Sequence, residues 1–208
     1  MKKRILSLAL SAAMALTMLP TGAFAASDKG KPPVYNKATG CYEISTPDQL
    51  LYLSGSWRDG APRDGHYVLT ADIDMTGVKG FKPIASKKDQ GFTGTFDGQF
   101  HAIKGLRVEY EKKYAGLFGY VGNQDDQAYI KDVALLDCYV TGQQNVGALA
   151  GVNYGTITGC VVTGEVKCLD LSNSHTAGGI CGKLKEGEGP SVGHVEDCYV
   201  NADVSAPY

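Results

Sequence analysis

The alternation of apolar and polar positions is sharpest in the second half of the chain. Cys160, Val162, Gly164 and Val166 share one side of an extended run, with Thr163 and Glu165 on the other. Cys198, Val200, Ala202 and Val204 repeat the pattern, with Tyr199, Asn201 and Asp203 between them. A period of two marks half-buried strands. Cys138 and Val140, preceded by Leu136, read as the start of the same pattern, which makes Cys138, Cys160 and Cys198 equivalent positions. Upstream, Tyr67, Leu69, Ala71, Ile73 and Met75 alternate with Val68, Thr70, Asp72 and Asp74 and predict one long strand. Phe92, Gly94 and Phe96 predict another, ended by Asp97-Gly98, and Ile103, Leu106, Val108 and Tyr110 a further one. Thr46 is a helix cap, Pro47 suits the first helical position, and Gln49 completes a capping box. With Leu50, Leu51 and Leu53 following, a short helix is predicted over Pro47 to Ser54.

A second regularity is longer. Ala115-Gly116-Leu117-Phe118-Gly119, Gly147-Ala148-Leu149-Ala150-Gly151 and Gly178-Gly179-Ile180-Cys181-Gly182 are copies of one phrase, and each precedes one of the cysteine-centred runs. Their last glycines lie 32 and then 31 residues apart. A fixed period of this size signals stacked supersecondary units that share a core. One such unit cannot offset its own backbone ordering, at roughly 1–2 kcal/mol per residue, without its neighbours. The spacing from phrase to cysteine varies, which places insertions in corner loops.

Composition adds an address. Met1-Lys2-Lys3-Arg4, the apolar run from Ile5 to Leu19, Pro20 and the small residues of Ala23-Phe24-Ala25 make residues 1–25 a secretory signal peptide. The apolar run is too short to cross a bilayer. Residues 26–40 read as a flexible leader and 41–208 as the folded domain, with the repeats over about 114–204. The full chain has 20 Lys+Arg and 22 Asp+Glu; the signal carries three of the basic residues, so the mature charge is −5. No basic stripe remains, which argues against nucleic acid or an anionic membrane as partner, and no later segment is apolar enough for membrane insertion of the mature chain. The 27 glycines fit many short strands joined by tight turns.

The glycine phrases, with Ile157-Thr158-Gly159-Cys160-Val161-Val162-Thr163-Gly164, resemble GLUG-motif repeats of bacterial cell-surface proteins. Ile44 to Leu50, Leu69 to Met75 and Phe92 to Gly98 are similar to the region that commonly precedes those repeats. The resemblance spans roughly Cys41 to Val204. It implies an all-β fold, a right-handed parallel β-helix (β-solenoid) with a short N-terminal capping helix, and an adhesin-like or surface-scaffold role. Similar repeats flank metallopeptidases that cleave immunoglobulin A, so the chain is also weighed as the N-terminal part of such an enzyme. The family carries no agreed catalytic residues here, and none are transferred.

The candidate chemistry is sparse. Six cysteines in a secreted chain permit disulfides; a buried thiol ladder of Cys138, Cys160 and Cys198 is the favoured reading, with Cys168 and Cys181 the better pair for a bridge. Asp72 and Asp74 share an outer strand face, and Asp125-Asp126 sits in a loop; solvated carboxylates are favoured over calcium or acid–base roles. His66, His101, His175 and His194 are scattered, without metal-ligand spacing. Tyr139 and Tyr199, read as equivalent outward positions, and Tyr120 and Tyr154 near the glycines, are candidates for stacking on sugar rings. No catalytic residue, cofactor or metal is assigned. The expected role is a non-enzymatic secreted or wall-associated module with an extracellular ligand, a host protein or glycan. The rivals are a carbohydrate-active β-helix enzyme using Asp72 and Asp74, and a fragment of a larger surface peptidase. Because the chain stops at Tyr208 directly after a strand-like run, self-association through an uncapped C-terminal end is expected.

Overall fold

The computed structural model describes residues 30–55, 61–170, 175–186 and 192–207. The signal peptide, residues 1–25, lies outside the described residues. The first elements are β1 (Val34–Asn36), antiparallel to β2 (Cys41–Ile44), then α1 (Pro47–Leu53). Next come β3 (His66–Leu69), β4 (Ile73–Asp74), β5 (Thr95–Asp97), β6 (Ala102–Lys104) and β7 (Arg107–Glu109). The repeats follow as β8 (Tyr114–Ala115), β9 (Phe118–Val121), β10 (Tyr129–Lys131) and β11 (Ala134–Gly142), then β12 (Asn145–Gly147), β13 (Ala150–Asn153), β14 (Thr156–Thr158) and β15 (Val161–Cys168). The last set is β16 (Thr176–Gly178), β17 (Cys181–Leu184), β18 (His194–Glu196) and β19 (Tyr199–Ser205).

The fold is all-β, and apart from the β1–β2 hairpin every strand pairing is parallel. Sheet one runs β1-β2-β3-β5-β10-β14-β18 and sheet two β19-β15-β11-β6-β4, with β7 also on β11. Sheet three is β16-β12-β8 and sheet four β17-β13-β9. Each repeat contributes one strand to each sheet in turn, so residues one period apart sit side by side. Phe96, Ile130, Ile157 and Val195 form one such column, and Ile103, Leu135, Val162 and Val200 another. All but the last member of each column are fully buried. Burying each such side chain contributes roughly 1.5–3 kcal/mol.

The glycine phrase is where sheets three and four meet. Val146 lies between Ala115 and Ala177, and Ala150 between Phe118 and Cys181. A Cβ on Gly147 would overlap Ala150 O, Cys181 Cα and Gly182 N, the last at 2.6 Å. The chain can double back this tightly only where the side chain is a hydrogen.

The helix forms as its sequence dictates. Thr46 Oγ1 accepts the Gln49 N–H at 3.3 Å. Gln49 Oε1 reaches back to accept the Ser45 N–H at 2.8 Å, one residue earlier than a standard capping box. Leu50, Leu51 and Leu53 are buried in the core that holds Ile44 and Tyr67.

Four expectations are corrected. Residues 34–40 are not part of a flexible leader: β1 pairs Val34 with Glu43 and Asn36 with Cys41, and the Asn36 amide donates to the Glu43 carboxylate at 2.7 Å. The run from Tyr67 to Met75 is two strands, because the chain leaves sheet one after Leu69 and enters sheet two at Ile73. Cys138 is not equivalent to Cys160 and Cys198. Leu135 pairs with Val162 and Cys138 with Gly164, so Leu136 and Asp137 face Thr163 alone in a β-bulge. Asp137 adopts φ 51°, and its N–H donates to Thr163 Oγ1 at 2.9 Å. The same slip places Tyr139 beside Glu165, in the column that continues to Asp203, whereas Tyr199 lies beside Val161, so the two tyrosines are not equivalent.

The insertions concentrate at the corner between sheets four and one. Between β9 and β10 that corner comprises residues 122–128, between β13 and β14 only 154–155, and between β17 and β18 residues 185–193.

Candidate functional site

This corner opens into a cleft. Arg63, Lys88, Asp89, Asn123, Gln124, Asp125, Asp126 and Tyr154 line an open cleft of about 240 Å³. Three segments position it: the loop before β3 with Arg63, a short 3-10 helix (Lys88–Gln90), and the 122–128 insertion. Asn123 shapes the insertion, its Oδ1 accepting the N–H groups of Asp125 and Asp126 at 2.8 Å each and its amide donating to Asp126 Oδ2 at 3.1 Å. Arg63 Nη1 donates to Asp89 O at 3.2 Å, which ties two segments together. The cleft is therefore polar and of mixed charge, suited to hydroxyls and amides rather than to an apolar ligand. Asp125-Asp126 was legible as a loop; Arg63 and Lys88 join it only through the fold.

Asp72 is not a solvated carboxylate. Its Oδ1 accepts the Ala102 N–H at 2.9 Å and lies 3.1 Å from His101 Nδ1. Its side chain is 14% exposed and that of His101 34%, so a carboxylate–imidazole pair faces solvent through the imidazole. Asp74 is spent locally, accepting the Thr76 N–H at 2.9 Å. His66 and His194 share one register column of sheet one but lie four strands apart, on β3 and β18, and His175 Nε2 lies 3.0 Å from Pro207 O. Among the described residues, no three His, Cys, Asp or Glu side chains gather as a metal site would require.

All six cysteines are free thiols. Cys168 faces the carbonyls of Gln143 at 3.2 Å and Gln144 at 3.4 Å, while Cys181 stacks on Ala150 in another sheet, so the expected bridge between them does not form. The thiol ladder has two members. Cys160 and Cys198 precede the paired residues Val161 and Tyr199, and their thiols donate to backbone carbonyls, Cys160 to Thr158 O at 3.2 Å and Cys198 to Glu196 O at 3.1 Å. The neighbouring Cys198, with burial adding to the rise, pushes the Cys160 thiol up, and Cys160 in turn holds Cys198 below the usual thiol value. Burial, helped by Asp137 in one case and by Cys198 in the other, pushes Cys138 and Cys181 up to about 11.

The tyrosines divide. Tyr120 and Tyr154 are buried, 3% and 8% exposed, in a cluster with Tyr114 whose ring centroids are 4.7 and 6.5 Å apart. Their rings are not free to stack on a sugar. Tyr139 lies under the Arg107 guanidinium at 4.1 Å and near Lys167 at 5.7 Å. Tyr199, 40% exposed, keeps an open face.

No protein-family model matches the chain. Halomucin from Haloquadratum walsbyi is 32% identical over 151 residues, which is 68% of this chain and 2% of halomucin. A protein provisionally named a Gly-rich membrane protein, from Evansella cellulosilytica, is 33% identical over 101 residues, 44% of this chain and 11% of that protein. Among solved structures, a Bacteroides ovatus protein provisionally described as an immunoglobulin A1 protease matches with a TM-score of 0.63 and 26% identity, over 79% of this chain and 48% of that one. The chain thus spans a small fraction of the curated relatives it matches and about half of the solved one. The structural likeness is consistent with kinship to regions that accompany such peptidases.

Proposed function

We propose that the chain is an extracellular or cell-surface module with a non-enzymatic adhesion, binding or scaffold role, built as a right-handed parallel β-helix of GLUG-type repeats. The observation that carries this reading is the return of the chain to the same four sheets once per repeat, after 31 or 32 residues in sheets three and four and 27 or 38 in sheet one, with apolar columns inside and the length variation confined to corners. Such a stack is a stiff rod whose corner loops vary without disturbing its ladder. The similarities to halomucin and to a protein named for the membrane support a surface location. No helix among the described residues is long and apolar enough to cross a membrane, so attachment would come from elsewhere. Ligand contact is assigned to the cleft of Arg63, Lys88 and the 122–128 loop.

A second reading, a carbohydrate-active enzyme, draws on one observation: the Asp72–His101 pair supplies a carboxylate and a base at hydrogen-bond distance. The likeness to the Bacteroides ovatus protein favours a third, in which the module belongs to a larger surface peptidase. Residues 26–208 would be applied to arrays of glycans and extracellular host proteins and assayed for turnover of polysaccharides and immunoglobulin A. The proposal expects saturable binding without turnover, weakened by Arg63→Ala and Lys88→Ala. Turnover that Asp72→Ala or His101→Ala abolishes overturns it, as does binding that ignores both cleft substitutions.

A further inference from the structure

The corner between sheets one and two holds two residues in each repeat: Asp132-Val133, Gly159-Cys160 and Asp197-Cys198. After β5 it holds four, Gly98 to His101. The His101 N–H closes this longer corner on Gly98 O at 2.7 Å, with Gln99 at φ 46° and Phe100 at φ 65° between them. A turn with two positive φ values in succession favours Asn-Gly at its centre. In the shorter corners the left-handed position falls to Asp132, Gly159 and Asp197, residue types that tolerate it. A bulky residue does not, and burial does not offset the strain, because Phe100 is 51% exposed. The turn holds an apolar ring in water at a conformational cost, which points to a contact outside the chain.

Other groups extend from that ring. Asp97 Oδ1 accepts the Gln99 N–H at 2.9 Å, while its Oδ2 holds Lys131 Nζ at 2.8 Å. Tyr129, two residues before Lys131 on β10, shares its outward face and is 47% exposed. Asp72 engages His101 at Nδ1, which leaves Nε2 outside that pair. The Phe100 N–H donates to Asp132 O at 2.9 Å, and at about 3.3 Å per residue Tyr129 lies roughly 10 Å along the chain from Asp132. Two open rings are thus set apart by an ammonium, a carboxylate and an imidazole. A pyranose matches such a surface. Its C–H face, slightly positive, seats on the negative face of an aromatic ring, and its hydroxyls both donate and accept. The charges here are balanced, so an acidic polymer gains nothing, and the polar groups between the rings deny a protein partner a continuous apolar patch.

We propose that Phe100 and Tyr129, with Asp97, Lys131 and His101, form a binding surface for a neutral polysaccharide. It is a second site, at a different corner from the cleft of Arg63 and Lys88, and it asks for no catalysis by the Asp72–His101 pair. Residues 26–208 would be run in native gels cast with xylan, amylose, mannan or mixed-linkage β-glucan, and the retarding polysaccharide titrated by calorimetry. Retardation by at least one is expected, with Phe100→Gly and Tyr129→Ala each weakening affinity about tenfold. Glycine suits a positive φ, so Phe100→Gly should melt no lower than wild type, and its weaker binding is then not unfolding. Passage through all four gels without retardation overturns the proposal. So does affinity that survives both substitutions, or a Phe100→Gly chain that melts well below wild type, which would make the ring a structural anchor. Polysaccharide binding weakened by Arg63→Ala and Lys88→Ala instead overturns it too, while leaving the cleft reading intact.

Discussion

Replacing Gly164 by alanine tests the register of sheet two. Alanine is favoured over glycine in a strand interior by roughly 0.5–1 kcal/mol. The equivalent residue of the next repeat is already alanine, Ala202, so the sequence pattern alone expects Gly164→Ala to be harmless or stabilising. The bulge reverses that expectation. Gly164 has φ 130°, and a Cβ there would overlap the carbonyl oxygen of Cys138, with its carbonyl carbon at 2.9 Å. The dihedral costs an L-residue about 1–3 kcal/mol and the overlap about as much again. Net of propensity, a loss of about 2–5 kcal/mol is expected, or roughly 5–20 °C in Tm for a domain of this size. Thermal unfolding followed by circular dichroism, with urea titration to confirm an unchanged slope, measures it. Ala202→Gly, with no bulged strand beside it, serves as the control and should lose no more than about 1 kcal/mol. If Gly164→Ala melts at or above the wild-type temperature, Cys138 does not lie over Gly164 and the two-thiol register is wrong.

Three further outcomes follow from the same geometry. Thr163→Val removes the acceptor of the Asp137 N–H and should cost about 1 kcal/mol in urea unfolding, with the fold retained. Burial and then the neighbouring Asp97 raise the Asp132 carboxyl above its ordinary range, so the folded state holds its proton more tightly than the unfolded chain does. Ionised Asp132 therefore opposes folding at neutral pH, and the opposition is lifted as pH falls through the raised value. Asp132→Asn, which tolerates the φ of 54°, should melt higher than wild type at neutral pH and lose that advantage in acid. Cys198 should react with iodoacetamide at neutral pH before Cys138 or Cys160, because its neighbour Cys160 holds it below the usual thiol value while burial raises Cys138 and, after the effect of Cys198, Cys160; peptide mapping that finds Cys138 or Cys160 labelled earlier refutes this.

Much of the architecture was legible from residues. The three glycine phrases align in the fold as they align in the sequence, with Phe118, Ala150 and Cys181 adjacent. The cap at Thr46 and the equivalence of Cys160 and Cys198 also hold. The failures have two physical roots, a bulge and contacts between distant segments. Alternation reads facing but cannot see an extra residue, so Leu136-Asp137 shifted Cys138 and Tyr139 out of their assigned columns. The partner of Asp72 was hidden because His101 is 29 residues away and meets it only when sheet two is in register. The cleft was invisible likewise, since Arg63, Lys88 and Asp125 come from three separate segments.

The corner between sheets four and one spans 122–128 in one repeat and only 154–155 in the next, while the flanking strands keep their register. Lengthening a flexible connection adds little entropy of closure, about 0.6 kcal/mol per doubling. Residues 154–155 are therefore a natural graft point. A foreign peptide spliced there would be displayed at the edge of the stacked strands, and the same tolerance would let evolution rewrite what the molecule touches without rebuilding what holds it up.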